Sequence, residues 1–361
     1  MKKLITICWI FSISMLANAQ KITAFKDKAS GKIGFKQDGE VIIPATKYEE
    51  WEGYSEGLIA VSKNNKWGFI DLKGNEVIAL NYLFADKFHD GLAIVSLKKG
   101  KFGFIDKSGA KISEFIYQNA QPFYGGFAAV QLKEKYGFIN SKGVLVIECK
   151  YQRTYPFNNG LAAVKLNDKW GFVNSEGKEV IDFKYDAAEF FSEGFAAVAI
   201  GEKYTFIDKT GKQIIEPIDG FISAFSGGLA RFSKDSKTGF MDVNGKVAIE
   251  PVYERATDFK DGFAQIFYKN TYGNPRCKYI DQTGKLINDK DYASSSERFS
   301  EGFAIVEAFM GGDGGAGVID QTGKEIIETK YSKITYSSGV FTVRDGNGKI
   351  YKFNKEGKLI Q

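Results

Sequence analysis

The chain has one histidine, His89, and three cysteines among 361 residues. That scarcity excludes a histidine-rich metal centre, and no cysteine–histidine spacing of the zinc-binding kind occurs. It leaves any serine or cysteine nucleophile a single histidine as base. A one-signed charge block is also missing. Lysines and acids alternate along the turns, which argues against nucleic acid or anionic lipid as a partner. Long apolar runs are absent too, except at the start.

That start reads as a secretory leader over residues 1–19. Lys2 and Lys3 precede an apolar stretch from Leu4 to Leu16, and Ala17-Asn18-Ala19 forms a small-x-small site with cleavage expected before Gln20. The stretch is short for a bilayer span, so export of a soluble chain is expected, to the periplasm, cell surface or medium. Cys8 follows Ile7 inside the apolar stretch, a poor setting for lipid attachment. Losing Lys2 and Lys3 takes the net charge from +5 to +3. Cys149 and Cys277 remain, and a pair in an exported protein invites a disulfide. They occupy different positions in units four repeats apart. Stacked sheets lie about 10 Å apart and a bridge spans at most ~7 Å, so two buried free thiols are expected.

What the chain has in abundance is rhythm. One turn glycine recurs ten times, as Gly39, Gly74, Gly109, Gly143, Gly177, Gly211, Gly245, Gly284, Gly323 and Gly357. The spacing is 34 or 35 residues, and 39 on either side of Gly284. A fixed period of this size means stacked supersecondary units. The fifth unit shows three short runs, Gly160 to Leu166, Lys169 to Asn174 and Lys178 to Tyr185, each bounded by Gly, Asn or Asp. Asn167-Asp168 and Asn64-Asn65 suit a tight hairpin turn. Asp/Asn-x-x-Gly, as in Asp106 to Gly109 and Asp208 to Gly211, suits a turn in which the acid bonds back to amides. One acid per turn, sometimes replaced by Asn140 or Asn174, is too few for a calcium loop.

Each joint between units carries an aromatic three residues before a glycine, such as Phe88/Gly91, Phe157/Gly160 and Phe191/Gly194. A tyrosine eight or nine residues after the turn glycine also recurs, as Tyr82, Tyr151 and Tyr185. Aromatic residues make up 15% of the chain, and this recurrence assigns most of them to packing. A stripe of sugar-stacking rings is the functional alternative. Burial within one unit cannot offset the ordering of its residues, so stability must come from contact between units. The fold expected is all-β: ten three-stranded antiparallel β-meanders stacked face to face, forming one domain over residues 20–361. Propellers close with four to eight blades, so ten units favour an open superhelix or solenoid, with a closed β-propeller as the alternative. The last unit, with Ile350-Tyr351 in place of Trp-Gly, reads as a cap.

Lys66-Trp-Gly-Phe-Ile-Asp71 and Lys169-Trp-Gly-Phe-Val-Asn174, with looser copies at Lys101 and Lys135, resemble the bacterial WG (KWG) repeat family. The Phe-Ser-Glu-Gly joint at Phe191 and Phe299 fits as well. The sixth and eighth units depart, with Thr205 and Lys278 at the Trp-Gly glycine. The resemblance implies a β-repeat scaffold and carries over no catalytic residue.

Two motifs mimic chemistry. Gly53-Tyr-Ser-Glu-Gly57 matches the nucleophile elbow but lacks its strand-turn-helix setting. Gly312-Asp-Gly-Gly-Ala-Gly317 matches a dinucleotide loop but runs into a strand rather than a helix. No catalytic residue, cofactor site or metal site is assigned. The eighth and ninth units lengthen the hairpin before the Trp-Gly position, and loops on rigid scaffolds carry binding. Asn270, Tyr272, Asn274, Arg276 and Asp313 are therefore the candidate partner-binding residues. The functional expectation is a non-enzymatic, exported binding or scaffold protein with a protein or glycan partner at the cell envelope. A carbohydrate-active enzyme using surface carboxylates, or a structural envelope spacer, is the alternative.

Overall fold

The structure is a computed structural model that describes residues 22–360, except 38, 294, 309–314 and 338. The expected leader, residues 1–19, lies outside the described residues. All regular structure among the described residues is β, in nine antiparallel sheets, none closed into a barrel.

In the fifth unit, Ala162–Leu166 pairs with Lys169–Val173, which pairs with Glu179–Tyr185. Asn167 and Asp168 turn the first hairpin with φ of 48° and 63°, as a two-residue type I′ turn requires. At the second turn the Asn174 Oδ1 accepts the Glu176 and Lys178 amides, each at 3.0 Å. Asp71, Asp106, Asp208 and Asp242 do the same in their units. These are the expected turn contacts, and they occupy the acids in holding amides.

The third strand bulges over the Trp-Gly glycine. Trp170 lies opposite Tyr185 and Phe172 opposite Ile181, so extra residues arch across Gly171. A Cβ on Gly171 would lie 2.8 Å from the Ile181 carbonyl oxygen, and at Gly137 the corresponding distance to Ile147 is 2.3 Å. Only a glycine leaves room for this close approach.

The three expected strands gain a fourth. After Tyr185 the chain passes into the next sheet, where Ala187–Ala188 pairs with Ala199 and Val198. Arg153–Thr154 and Asn119–Ala120 make the same two-residue edge strand in their sheets. One extended segment thus serves two sheets. The joint that follows is itself a hairpin turn, with Glu193 and Gly194 at φ of 52° and 93° between paired Ser192 and Phe195.

Stacking follows from two contacts repeated along the array. The joint aromatic packs on the phenylalanine of the preceding Trp-Gly-Phe strand. The pairs Phe69–Phe88, Phe104–Phe123, Phe138–Phe157, Phe172–Phe191, Phe206–Phe225 and Phe240–Phe259 have ring centroids 4.4 to 5.0 Å apart. The isoleucine four residues after a turn glycine packs on the turn glycine of the next unit, as Ile78 does under Gly109 and Ile147 under Gly177. The run Ala196 to Ala199 is buried at every position, as a strand covered on both faces should be. Among the described residues the principal contacts join each sheet to its neighbours in sequence, and none of them joins the first sheet to the last. The array is open.

Four units are irregular; in the tenth, the segment after Gly357 makes only a single bridge, from Leu359 to Phe353. The third keeps only single bridges where its third strand should run, at Lys111 and Tyr117, because Ser113 replaces the core isoleucine and takes the Phe104 amide on its Oγ. The sixth and eighth, which carry Thr205 and Lys278, replace the long third strand with Ile218–Asp219 and Tyr292–Ala293. Tyr292 and Ala293 pair with Cys277 and Arg276 on one side, and Tyr292 pairs with Ala308 on the other, fusing units eight and nine into one seven-stranded sheet. Both cysteines are free. Cys277 is buried as expected, whereas Cys149 is only partly buried, because it points from a strand whose neighbours alternate between core and surface.

Candidate binding surfaces

Asn270, Tyr272 and Asn274 sit together at the tip of the hairpin between Phe263–Lys269 and Pro275–Asp281. The Asn270 Oδ1 accepts the Tyr272 and Asn274 amides at 3.0 Å each, and its carbonyl accepts the Gly273 amide at 2.8 Å. The lengthened loop therefore reuses the turn chemistry of the repeat, and Asn270 is engaged in holding it. Tyr272 projects from the tip and is 87% exposed. Arg276 is the second residue of the next strand, its guanidinium donating to the Pro275 carbonyl at 3.0 Å. Asp313 lies outside the described residues, as does most of the glycine-rich segment around it.

The mimicked motifs dissolve into the repeat. Ser55 and His89 occupy the same position in successive joints, each just before a tight turn. No hydrogen bond joins them. Among the described residues no cluster of three or more His, Cys, Asp or Glu could hold a metal ion.

A second surface forms where the fourth, fifth and sixth units meet. A groove of about 780 Å³ runs between the turns at Gly125 and Asn159, lined by Tyr124, Tyr155, Asn158, Ser175 and Phe190 among others. Tyr124 is 48% exposed and Phe190 37%. Tyr155 is held in place by Trp170, stacked at 5.4 Å with the planes 26° apart, and by the edge of Phe190 at 6.3 Å. Beside Phe190, burial holds the Glu189 carboxyl above the usual carboxylate range. Its charge in turn acts on Tyr155, whose hydroxyl burial already pushes up. Sequence reasoning missed this groove because it counted the recurrent rings. The signal lay in rings outside the pattern: Tyr124 where five of the other eight joints carry serine, and Phe190 doubling Phe191.

The comparisons with known proteins follow the same rhythm. A family model described as WG containing repeat matches residues 35–67, 67–102, 102–136, 136–170, 170–204, 204–237, 239–272 and 317–349. The chain belongs to the WG repeat family. The unmatched stretch between 272 and 317 contains most of the lengthened loop, Lys278 and Tyr292–Ala293, the strand that fuses the two units, so the departure from the WG pattern in sequence coincides with the departure in structure. No curated protein matches this WG repeat chain. Among solved structures, Hsv2 of Kluyveromyces lactis is similar at 11% identity and a TM-score of 0.37, over 65% of this chain and 94% of that one. A WD40 domain of Toxoplasma gondii coronin is similar at 12% identity and a TM-score of 0.31, over 65% of this chain and 66% of that one. Scores this low carry no argument.

Proposed function

We propose that this WG repeat protein is exported and works as a non-catalytic binding or scaffold protein, presenting its β surface to a protein or glycan partner at the cell envelope. The leader at residues 1–19 supports export. The groove over Tyr124, Tyr155 and Phe190 carries the binding reading, because it is a preformed concave surface rich in aromatic rings with a few polar groups. Most other distinctive side chains serve the repeat itself, as turn caps, bulge glycines or stacked rings. The exposed Tyr272 loop is the second surface on offer.

A carbohydrate-active enzyme is the competing reading, and Glu189 is the observation that favours it. A carboxyl whose pKa is raised by burial beside a groove is a candidate proton donor. Incubating the mature protein with envelope proteins and a polysaccharide panel separates the two. Saturable retention without product is the expected result. Turnover that disappears in Glu189→Gln would overturn the non-catalytic reading. Cell fractionation, with the mature N-terminus read by mass spectrometry, tests export: cleavage before Gln20 is expected, and an intact leader on a cytoplasmic protein would refute it.

A further inference from the structure

We infer that the groove over Tyr124, Tyr155 and Phe190 binds an uncharged saccharide chain, an inference that rests on the binding reading and names its ligand class. The argument begins with what lines the groove. Its apolar surface comes from aromatic rings and Pro156, with no leucine, isoleucine or valine. Rings present flat faces, and flat faces favour a ligand that stacks over one that fills an irregular hole. The C–H face of a pyranose is such a ligand.

The polar groups narrow the choice. No lysine, arginine, aspartate or glutamate lines the groove itself, and the two charges that reach Tyr155 from outside it, those of Glu189 and Arg153, oppose each other, so a phosphate backbone, a polyuronate or a charged peptide would find no matching counter-charge. What it does hold is neutral hydrogen-bonding capacity at Asn158, Asn159 and Ser175. The Asn159 Nδ2 donates to the Asn158 Oδ1 at 3.2 Å and to the Phe191 carbonyl at 3.5 Å. That orients both amides, while the Asn158 Nδ2 and the Asn159 Oδ1 make no hydrogen bond within the described residues. A purely apolar occupant, such as an acyl chain, would desolvate these amides without replacing their bonds. A sugar satisfies both demands: C–H faces for the rings and hydroxyls for the amides.

The groove also spans more than one repeat, as a polymer needs. Tyr124, Tyr155 and Phe190 come from three successive joints, so the groove draws on several units rather than lying within one. Tyr155 is fixed by Trp170, which cuts the ordering cost on binding. The same contact supplies a reporter, because a ring placed over Tyr155 alters the surroundings of the Trp170 indole.

The test is native affinity electrophoresis of the mature protein in gels containing soluble neutral polysaccharides (a β-glucan, an arabinoxylan, a galactomannan), with polygalacturonate as the charged contrast. Retardation by at least one neutral polymer is expected, with a change in tryptophan fluorescence. Tyr155→Ala should weaken retardation at least tenfold, and Tyr155→Phe should keep most of it. Since Tyr155 packs on Trp170, the half-exposed Tyr124→Ala is the second variant, and it should weaken retardation without moving the thermal midpoint. Retardation by no neutral polymer, by polygalacturonate alone, or equally in wild type and Tyr124→Ala would overturn the inference. Saturable capture of an envelope protein that survives Tyr124→Ala but fails on deletion of Thr271 to Pro275 would overturn it while leaving the binding reading intact.

Discussion

The Thr205 Oγ1 donates a hydrogen bond to the Ile215 carbonyl oxygen, 2.7 Å away, at the position where the regular units carry glycine. In those units the corresponding carbonyl would lie only 2.3 to 2.8 Å from a Cβ added at Gly68, Gly137, Gly171 or Gly239. A side chain and the bulge cannot share that space. The sixth unit keeps the side chain, gives up the bulged strand and satisfies the carbonyl through the hydroxyl. The Trp-Gly glycine therefore exists to let one strand arch over another.

Substituting that glycine is the direct check. Gly171→Ala should lower stability by about 1–3 kcal/mol, the usual cost of forcing atoms into a packed site. Gly346→Ala, where an added Cβ meets nothing within 4 Å, should leave stability unchanged or raise it by up to about 1 kcal/mol through the unfolded chain. Urea unfolding midpoints decide, and equal midpoints for the two variants would refute the crowding argument.

Neighbouring phenylalanines should behave in opposite ways. Phe191 is buried against Phe172 of the preceding sheet, so Phe191→Ala should cost about 3–5 kcal/mol and reduce amide protection in both sheets. Phe190, more than a third exposed in the groove, should cost far less. Loss confined to one sheet in Phe191→Ala would mean that the ring does not couple the units.

The joint acids should matter locally. Glu193 accepts the Gly227 and Gly228 amides of the next joint, each at 2.8 Å, and Glu56 accepts the Gly91 amide at 3.1 Å. Glu193→Ala should speed hydrogen exchange at Gly227 and Gly228 while leaving Gly91 unchanged. Uniform exchange across the three glycines would discount this contact.

Acid and neutral conditions should separate two kinds of carboxyl. Bonds from Thr210 and from the turn amides hold Asp208 below the usual aspartate value of 3.8. Its folded pKa is depressed, so its contribution is present above the unfolded pKa and disappears as pH falls through the folded one. Glu189 is raised above 4.5 by burial, so the sign reverses: folding favours its protonated form, and that contribution fades as pH climbs through the raised value. Asp208→Ala should therefore lower the thermal midpoint at pH 7, with a shrinking difference below about pH 4. Glu189→Gln should raise the midpoint at pH 7 and change it little near pH 3. A Glu189→Gln effect that grows on acidification would reverse the assignment.

The thiols give a simple readout. Burial pushes the Cys277 thiol up to about 12, and its Sγ donates to the Ala293 carbonyl at 3.1 Å. Cys149 is also raised by burial, but it is only partly buried. In the native protein at pH 8 a thiol reagent should label Cys149 slowly and Cys277 hardly at all, with both labelled in denaturant. Mass spectrometry of the labelled peptides checks the order.

Much of the architecture was written in spacing alone. The turn glycines, the Asp-x-x-Gly caps and the Asn167-Asp168 hairpin act through the backbone of their own segment, so local chemistry reveals them. The two-residue edge strands were illegible, because Arg153–Thr154 and Ala187–Ala188 share no residue type and are defined only by the strand they pair with. That each joint glycine closes a hairpin turn was illegible for the same reason. The groove was hidden because Tyr124, Tyr155 and Phe190 lie in three different repeats, and no periodicity joins them.

Sequence alone decides that this chain is a tandem β array, since a repeated pattern of turn formers and apolar strands constrains each unit within a few tens of residues. Where rings from separate units converge, which strands fuse and which carboxyl loses its water depend on how one sheet rests on the next. Those are distances through space between residues far apart in the chain, and stacking sets them.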